Sequence, residues 1–354
     1  MAFWGRSFMF NGIPCEDYDL MLYDIGSSTQ SSGQFASGVT VVEDKLSTKW
    51  KPYFYGAKTE GKLEFSMVFG ANQKRIDRNK YLDRYELDAI ASWLTSYDNY
   101  MWLDVEQEDL EYIRYRCIIT ELDIVEFGNI PWALKAKVVC DSPYAYLHPQ
   151  TFEYAINGER TISFYNESSH NGYYMPKIEF SGYEIVISNE LTTIGERGKW
   201  FQYSPTISVN NGKVVLADAV ATSYWGSRKE EENYVLYNDE VYYCPKTNNT
   251  GALSDVYAGY KVTMTENSIN SLSIINMSDA NRVFNLGVDE PLPTSIKTIY
   301  VDSDTGILTC DEGINIYPYT NFKFVRFVKG ENVLKITGNG MLRIYCEFPV
   351  NVGG

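Results

Sequence analysis

The stretch from Asp83 to Tyr146 constrains the fold most, because it contains one helix-like segment followed only by strand-like segments. Asp83 stands where an N-cap carboxylate can accept from the free amides of the first turn, and Glu86 adds favourable charge near the positive helix end. The apolar residues of the segment recur at i, i+3, i+4 and i+7, which is one helix face: Leu87, Ile90, Ala91 and Leu94. We therefore predict one helix with a buried face.

The residues after this helix read as strands. Extended patterns cover residues 100–105, 112–121, 124–125 and 132–140. In the last of these, apolar and charged residues alternate: Trp132, Leu134, Ala136 and Val138 against Lys135 and Lys137. Pro143 cannot donate into a sheet ladder and ends the pattern. The whole stretch predicts a helix laid on a sheet, with a domain boundary just after it.

The residues before the helix also favour strands. Residues 8–13 predict a strand that runs into a tight turn, because Asn11-Gly12 supplies the positive φ that such turns need. Further strands are predicted at 18–24, 39–44, 50–55 and 62–70, the last with period-2 alternation. Residues 26–38 are rich in Ser and Gly, which predicts a mobile loop or an arm that orders on a partner.

Composition narrows the class of protein. A chain of 354 residues predicts two domains, and 29 Tyr with 17 Phe favour β-sheets over helical bundles. The chain has 31 Lys and Arg against 46 Asp and Glu, which gives a net charge of −15, and it has no cluster of basic residues. This composition argues against tight binding of nucleic acid. No stretch approaches the roughly 18 apolar residues of a membrane span, and no signal peptide is evident, so neither membrane insertion nor secretion is expected.

The six cysteines are spaced far apart and form no CxxC pair. Three of them, Cys117, Cys140 and Cys346, fall inside apolar strand patterns. Buried free thiols are therefore favoured over a disulfide framework, which agrees with synthesis in a reducing cytoplasm.

After Pro149 the pattern consists of strands alone, as expected for a β-sandwich. Its first half has predicted turns at Asn157-Gly158 and Ser181-Gly182, and residues 330–332 and 338–340 are predicted to join the last three strands as hairpins. Between the halves, roughly residues 190–262 are predicted to be an insertion. The fold class is therefore mainly β, with an N-terminal sandwich-like domain that carries one helix, 1–148, and a C-terminal sandwich, 149–354.

The sequence contains no recognised arrangement of catalytic residues. His148 and His170 have no acid or nucleophile at a recognised spacing, and no phosphate-binding glycine loop, zinc spacing or dinucleotide motif is present. Residues 302–306 begin like a calcium loop, but Gly306 replaces a ligand and no Glu stands at position twelve, so a β-turn is favoured. We expect no enzyme activity, cofactor or metal.

Trp200 and Trp225 are the candidate ligand-contacting residues, since aromatic faces with nearby polar groups suit sugar rings. The competing interpretation is that they pack in the core of a small β-module.

Several motifs resemble the siphophage distal tail protein family. The segment Phe8-Met-Phe-Asn-Gly resembles its N-terminal signature, in which an acidic-aromatic-Gly triplet follows, and this chain has Asp19 at the last position. The helix, the Leu103-Asp104 hairpin, the aromatic strand at 112–117 and the closing residues 139–146 are similar to that family in the same order. Residues 302–308 and 324–338 resemble the end of its galectin-like domain.

The resemblance implies a structural virion protein at the tail tip, made in the cytoplasm of the host bacterium. The N-terminal domain would form a homohexameric ring, or belt, decorated by the galectin-like domain. The ring would join the tail tube protein to the tail-tip hub, the tape measure protein and the receptor-binding apparatus, and DNA would pass through its channel without specific binding. The alternative is a carbohydrate-binding module that contributes to attachment to the host cell wall.

Overall fold

The protein is mainly β, with antiparallel sheets and one α-helix among the residues that the structure describes, which confirms the predicted fold class. The computed structural model describes the following residues: 5–25, 39–46, 48–59, 61–72, 74, 81–107, 112–194, 199–201, 206–210, 213–217, 221–222, 233–244 and 257–351. The chain divides into two compact units. The first contains Met1–Pro149, Glu167–Asn171 and Glu347–Gly354, and the second contains Gln150–Asn166 and Gly172–Cys346.

The first unit is built on a nine-stranded sheet. Its elements are β1 Gly5–Phe10, β2 Ile13–Pro14, β3 Leu20–Ile25, β4 Val39–Asp44, β5 Tyr53–Thr59, β6 Glu64–Ala71, α1 Arg84–Thr95, β7 Met101–Gln107, β8 Ile113–Phe127, β9 Ile130–Cys140, β10 Ala145–Leu147 and β25 Pro349–Val350. Seven strands follow the order β2-β1-β7-β8-β9-β6-β3, while β10 pairs with both β8 and β25. Strands β4 and β5 form a separate two-stranded hairpin.

The helix begins as the sequence predicts. The Asp83 carboxylate accepts a hydrogen bond from the Glu86 amide at 2.9 Å, and the Glu86 carboxylate accepts from the Asp83 amide at 3.0 Å. This reciprocal capping box satisfies two amides that would otherwise lack partners at the helix start. Ile90 and Leu94 are buried as predicted, whereas Leu87 and Ala91 are only partly buried.

Alternation along the central strands also agrees with prediction. Met67 and Phe69 on β6 are fully buried, and so are Ala136 and Val138 on β9. Side chains two residues apart share a face of a sheet, so these strands turn the same set of apolar residues toward the core.

The second unit contains a twelve-stranded sheet. Its strands are β11 Gln150–Asn166, β12 Lys177–Ile194, β13 Lys199–Phe201, β14 Thr206–Asn210, β15 Lys213–Ala217, β16 Ala221–Thr222, β17 Asn233–Tyr237, β18 Glu240–Cys244, β19 Tyr257–Glu266, β20 Leu272–Asn276, β21 Arg282–Leu286, β22 Thr298–Asp302, β23 Ile307–Cys310 and β24 Gly330–Cys346. Nine strands follow the order β16-β13-β17-β18-β19-β12-β24-β20-β21. β11 adds to β24, β22 adds to β12 and β23, and β14 and β15 form a separate hairpin.

Several turns predicted in this half of the chain are wrong. Strand β11 pairs with β24 in continuous register from Gln150 opposite Cys346 to Asn166 opposite Gly330, so neither 157–158 nor 338–340 is a turn. Residues 330–332 likewise lie inside β24 instead of forming a hairpin. Strand β12 also continues through 181–182, where its partner changes from β24 to β19.

Close packing explains two of the glycines that suggested these turns, Gly182 and Gly340. A Cβ atom at Gly340 would lie 2.6 Å from both the Phe180 ring and the Ser181 carbonyl oxygen, and one at Gly182 would lie 2.3 Å from the Asn267 carbonyl oxygen. Glycine inside a strand often marks such a close approach instead of a turn. Phe180 is fully buried, and the glycine at position 340 accommodates its ring.

Candidate assembly surface

The aromatic residues of the N-terminal signature form part of the core of the first unit. Phe8 and Phe10 on β1 are buried, and both rings contact the indole of Trp93 on α1. The indole stacks on Phe8 at 5.8 Å and on Tyr18 at 4.5 Å between ring centroids, and its Nε1 donates to the Phe10 carbonyl at 3.4 Å. These contacts anchor the helix on β1, since buried aromatic pairs contribute beyond their area.

The polar residues of the signature are required by the backbone. Asn11 and Gly12 have φ of 51° and 76° and join β1 to β2, with Phe10 opposite Ile13, which confirms the predicted tight turn. Asp19 has φ 54° and ψ 35°, in the left-handed region that glycine occupies without steric cost. The glycine of the family signature is therefore explained, and aspartate is one of the few other residues that adopt this conformation readily.

The β4–β5 hairpin, including the segment between its strands, exposes several large apolar side chains. Trp50 is 83% exposed, Tyr55 69% and Phe54 66%, while Val41 and Tyr53 are also exposed. Among the described residues, β4 and β5 pair only with each other. A two-stranded sheet without further packing is marginally stable in water. The exposed side chains of Val41, Trp50, Tyr53, Phe54 and Tyr55 lie on both faces of the hairpin, since successive residues of a strand point to opposite faces. Together they are called the hairpin surface, which is suited to cover by other protein surfaces.

The end of the chain returns to the first unit. Tyr146 on β10 pairs with Pro349 on β25, and the Arg114 guanidinium forms an ion pair with the Glu347 carboxylate. The same guanidinium lies 3.5 Å from the centroid of the Trp102 ring. A charge stacked on an aromatic face and paired with a carboxylate fixes this segment on the sheet.

Burial dominates the electrostatics of this sheet. It raises the pKa of the Asp104 carboxyl, an effect that nearby His148 and Arg114 partly offset. Among the cysteines whose side chains are described, the following are free and buried, as predicted: Cys15, Cys117, Cys140, Cys310 and Cys346. Burial raises the pKa of the Cys15, Cys140 and Cys346 thiols to about 12, and that of Cys117 further still. These thiols stay protonated and act as small apolar groups at neutral pH.

The candidate catalytic and metal-binding residues form no reactive centre in the described part of the chain. His148 lies with its Nδ1 atom 3.8 Å from an Asp104 carboxylate oxygen, and the His170 ring packs edge-on against Tyr144 at 5.7 Å. No group of three or more His, Cys, Asp or Glu with metal-binding geometry occurs among the described residues. Residues 302–306 form the predicted turn, in which the Asp302 carboxylate accepts from the amides of Asp304 and Thr305.

The predicted glycan-contacting residues are placed only in part. The backbone of Trp200 lies on β13, opposite Val235 on β17 and Thr222 on β16. Trp225 and the whole Ser/Gly-rich arm, residues 26–38, lie outside the described residues, and the side chain of Trp200 is not described. Glycan contact by these two tryptophans therefore stays a prediction.

No described helix has the length and apolar character needed to span a bilayer.

Comparison with known protein families gives one match. Residues 3–142 match the family described as the phage tail protein N-terminal domain. This range contains the whole signature, the β4–β5 hairpin and α1. This part of the chain is therefore similar to phage tail protein N-terminal domains.

Solved structures with a similar fold were also found. The chain is similar to the SPP1 Dit protein, described as a paradigm of the hub adsorption apparatus in phages that infect Gram-positive bacteria, with TM-score 0.52, 8% identity and coverage of 97% of this chain and 98% of that one. The phage P2 baseplate in its activated conformation with Ca matches at TM-score 0.41, 8% identity and 97% of each chain. No curated protein matches the sequence. The resemblance to siphophage distal tail proteins is confirmed.

Proposed function

We propose that this protein is a structural, non-enzymatic component of the phage tail tip, which assembles as a homohexameric ring. Residues 1–148 form the belt of the ring, and residues 149–354 form a galectin-like domain on its outside. The ring joins the tail tube protein to the tail-tip hub, the tape measure protein and the receptor-binding apparatus. DNA passes through its channel without being specifically bound.

The observation that carries this proposal is the hairpin surface. Its aromatic side chains are exposed on a hairpin that has no other sheet partner among the described residues, within the domain that matches the phage tail family. Aromatic residues are enriched at the centre of protein interfaces, where a few of them supply most of the binding energy. A neighbouring copy of the chain is the proposed partner, because a closed ring covers the same patch on every subunit.

Light scattering and negative-stain imaging of the purified protein test the proposal. Six copies of the 40.5 kDa chain would give a particle of about 243 kDa with a central hole. The double variant Phe54→Ser with Tyr55→Ser should shift this particle toward monomer. Tyr165→Ser is the matched control, because Tyr165 is 65% exposed in the second unit and should leave the particle intact. A strictly monomeric wild type at micromolar concentration would refute the ring.

We also propose that Trp200 and Trp225 contact glycans. Substitution of either tryptophan by alanine in a protein that still folds would abolish binding to cell-wall polysaccharide of the host. Intact protein without such binding would exclude this role.

A further inference from the structure

Two cysteines of the first unit lie directly opposite each other. In the ladder between β8 and β9, Cys117 is the cross-strand partner of Cys140. Directly opposite residues of an antiparallel pair point to the same face of the sheet. Here that face is the core, since both side chains are 0% exposed. The two thiols are therefore neighbours in an apolar environment.

The backbone hydrogen bonds identify the kind of cross-strand pair. The Cys140 amide donates to the Leu63 carbonyl at 2.9 Å, so it points away from β8. The next amide, that of Asp141, donates to the Arg116 carbonyl on β8, also at 2.9 Å. Cys117 and Cys140 are thus a non-hydrogen-bonded pair, in which the Cα atoms are about 4.5 Å apart. A disulfide requires Cα atoms about 4.4–6.8 Å apart, so the backbone already has a suitable spacing.

The electrostatics of the pair agree with this proximity. Burial raises the pKa of the Cys117 thiol most, and the nearby Cys140 sulfur raises it further. Burial likewise raises the pKa of the Tyr115 hydroxyl, to which both sulfurs also contribute. Such an influence between ionisable groups requires that they lie close together. Cys346 is also buried, but the residue opposite it on β11 is Gln150.

The position of the pair in the ladder gives an oxidant a way to reach it. Cys140 is the last residue of β9, and its pairing with Cys117 is the end of the β8–β9 ladder. Local opening at the margin of a sheet costs less free energy than global unfolding. In the closed fold the thiols are protonated and inert. In an open or still-folding chain their pKa returns toward about 8.5, so that the reactive thiolate becomes available.

We propose that Cys117 and Cys140 are a redox-sensitive pair, a dithiol under reducing conditions that closes to a cross-strand disulfide under oxidising conditions. The oxidant is a small disulfide of the glutathione class. One cysteine thiolate attacks this disulfide and releases one glutathione thiol, and the second cysteine then attacks the mixed disulfide and releases the other. The protein loses two protons and two electrons, which reduce the glutathione disulfide to two thiols.

The disulfide would stabilise the first unit. A bond between positions 117 and 140 closes a loop of about 24 residues, which restricts the unfolded chain. From the dependence of this effect on loop length, the unfolding temperature of the first unit should rise by about 7–14 °C. A tail-tip protein, as proposed above, folds inside a reducing cell and acts outside it, so the bond would form after release. The chemistry of the pair itself does not depend on ring formation.

Thiol counting on the full chain tests the proposal. Reduced protein is kept folded in a mixture of oxidised and reduced glutathione, at a potential as oxidising as that of the endoplasmic reticulum. A second sample is refolded from urea in the same mixture. The remaining thiols are alkylated with N-ethylmaleimide in urea and counted by mass spectrometry. The chain has six cysteines, so reduced protein takes up six groups and oxidised protein should take up four, six less the two in the disulfide.

Two measurements on the wild type assign the bond and its effect. A peptide map without reductant should link Cys117 to Cys140, and it decides the assignment even where a variant does not fold. Differential scanning calorimetry should show the higher unfolding temperature of the oxidised first unit. The refolded sample should reach the oxidised state sooner than the folded sample, because the folded chain has to open first.

Two variants separate this pair from the other thiols. Cys140→Ala leaves five thiols and removes one partner, so it should take up five groups under both reducing and oxidising conditions. Cys346→Ala is the matched control, because Cys346 is buried without a cysteine opposite it. After oxidation Cys346→Ala should take up three groups, five less the two in the disulfide, and should keep the gain in unfolding temperature.

Four results would overturn the proposal. Uptake of six groups by oxidised wild type would show that no pair closes. A link between any other two cysteines would assign the bond elsewhere. A disulfide that forms on refolding but never in the folded protein would refute the response to a change of environment. An oxidised first unit that unfolds at the same temperature as the reduced one, or lower, would refute the stabilisation.

Discussion

Substitution of Gly340 by alanine tests the packing of the second unit. Gly340 on β24 lies between Ile156 on β11 and Gly182 on β12. A Cβ atom there would be 2.6 Å from the Ser181 carbonyl oxygen, and also 2.6 Å from Cζ of Phe180. Ordinary van der Waals contact begins at about 3.4 Å, so β12 and β24 would have to separate by roughly 0.8 Å.

The free energy of unfolding should fall by about 2–3 kcal/mol. Overpacking of a core costs about 1–3 kcal/mol, and the stretched ladder hydrogen bond beside it adds about 1 kcal/mol. Alanine has a smaller conformational entropy than glycine in the unfolded chain, which offsets about 0.4–1 kcal/mol of this loss of stability. For a unit of this size the unfolding temperature should drop by about 5–10 °C, measured by circular dichroism melting.

Two further variants make this prediction specific. Gly158→Ala places its Cβ in open space, and although φ there is 77°, it should cost only about 1 kcal/mol. Phe180→Leu removes the ring but not the Ser181 contact, so the double variant with Gly340→Ala should be less destabilised than the sum of the two single changes. Gly340→Ala with an unfolding temperature within about 1 °C of wild type would refute the proposed close packing.

Three other predictions follow from the first unit and the thiols. Asp83→Ala breaks the capping box and should lower the urea-derived free energy of unfolding by about 1 kcal/mol; no change would show that the cap contributes nothing. Trp93→Ala should cost about 3–5 kcal/mol, whereas Tyr85→Ala on the same helix, where Tyr85 is 85% exposed, should cost little; equal effects would contradict the burial. Cys140 and Cys346 keep their protons up to about pH 12 when folded, whereas unfolded thiols ionise above about pH 8.5, so the free energy of unfolding should fall as pH rises past about 9. Alanine at both positions should reduce this slope in urea titrations between pH 7 and 10, and an identical slope would contradict the assignment.

Local signals predict structure where the contacts are local. The capping box at Asp83 and Glu86 and the turn at 11–12 depend on residues at most three positions apart, so the sequence contains all that they need. The same Asn-Gly dipeptide at 157–158 gives no turn, because its strand pairs with residues 338–339 instead. A dipeptide cannot reveal a partner about 180 positions away, and that pairing overrides the local preference.

The helix shows a similar limit. The predicted face consists of Leu87, Ile90, Ala91 and Leu94, whereas the buried side chains are Ile90, Trp93 and Leu94. The face is therefore rotated toward Trp93, whose indole packs on Phe8 and Tyr18. The spacing of Ile90 and Trp93 at i and i+3 is the signal that would have found it. What the sequence does not contain is the position of β1, which decides which side of a broad apolar stripe is covered.

The motif that identifies the family and the surface proposed for assembly are different parts of the N-terminal domain. Phe8 and Phe10 are buried, and Asn11, Gly12 and Asp19 adopt left-handed conformations. Each of these signature residues is therefore required by the fold of the single subunit. The exposed aromatic side chains of the β4–β5 hairpin belong to none of these motifs. A sequence signature of this kind specifies how one subunit folds, because its residues are required by particular backbone angles or by packing in the core. An interface is defined by its partner, which the fold of one subunit does not contain. The place proposed for the interface is indicated by exposed apolar side chains, which lie on a hairpin without other sheet partners among the described residues.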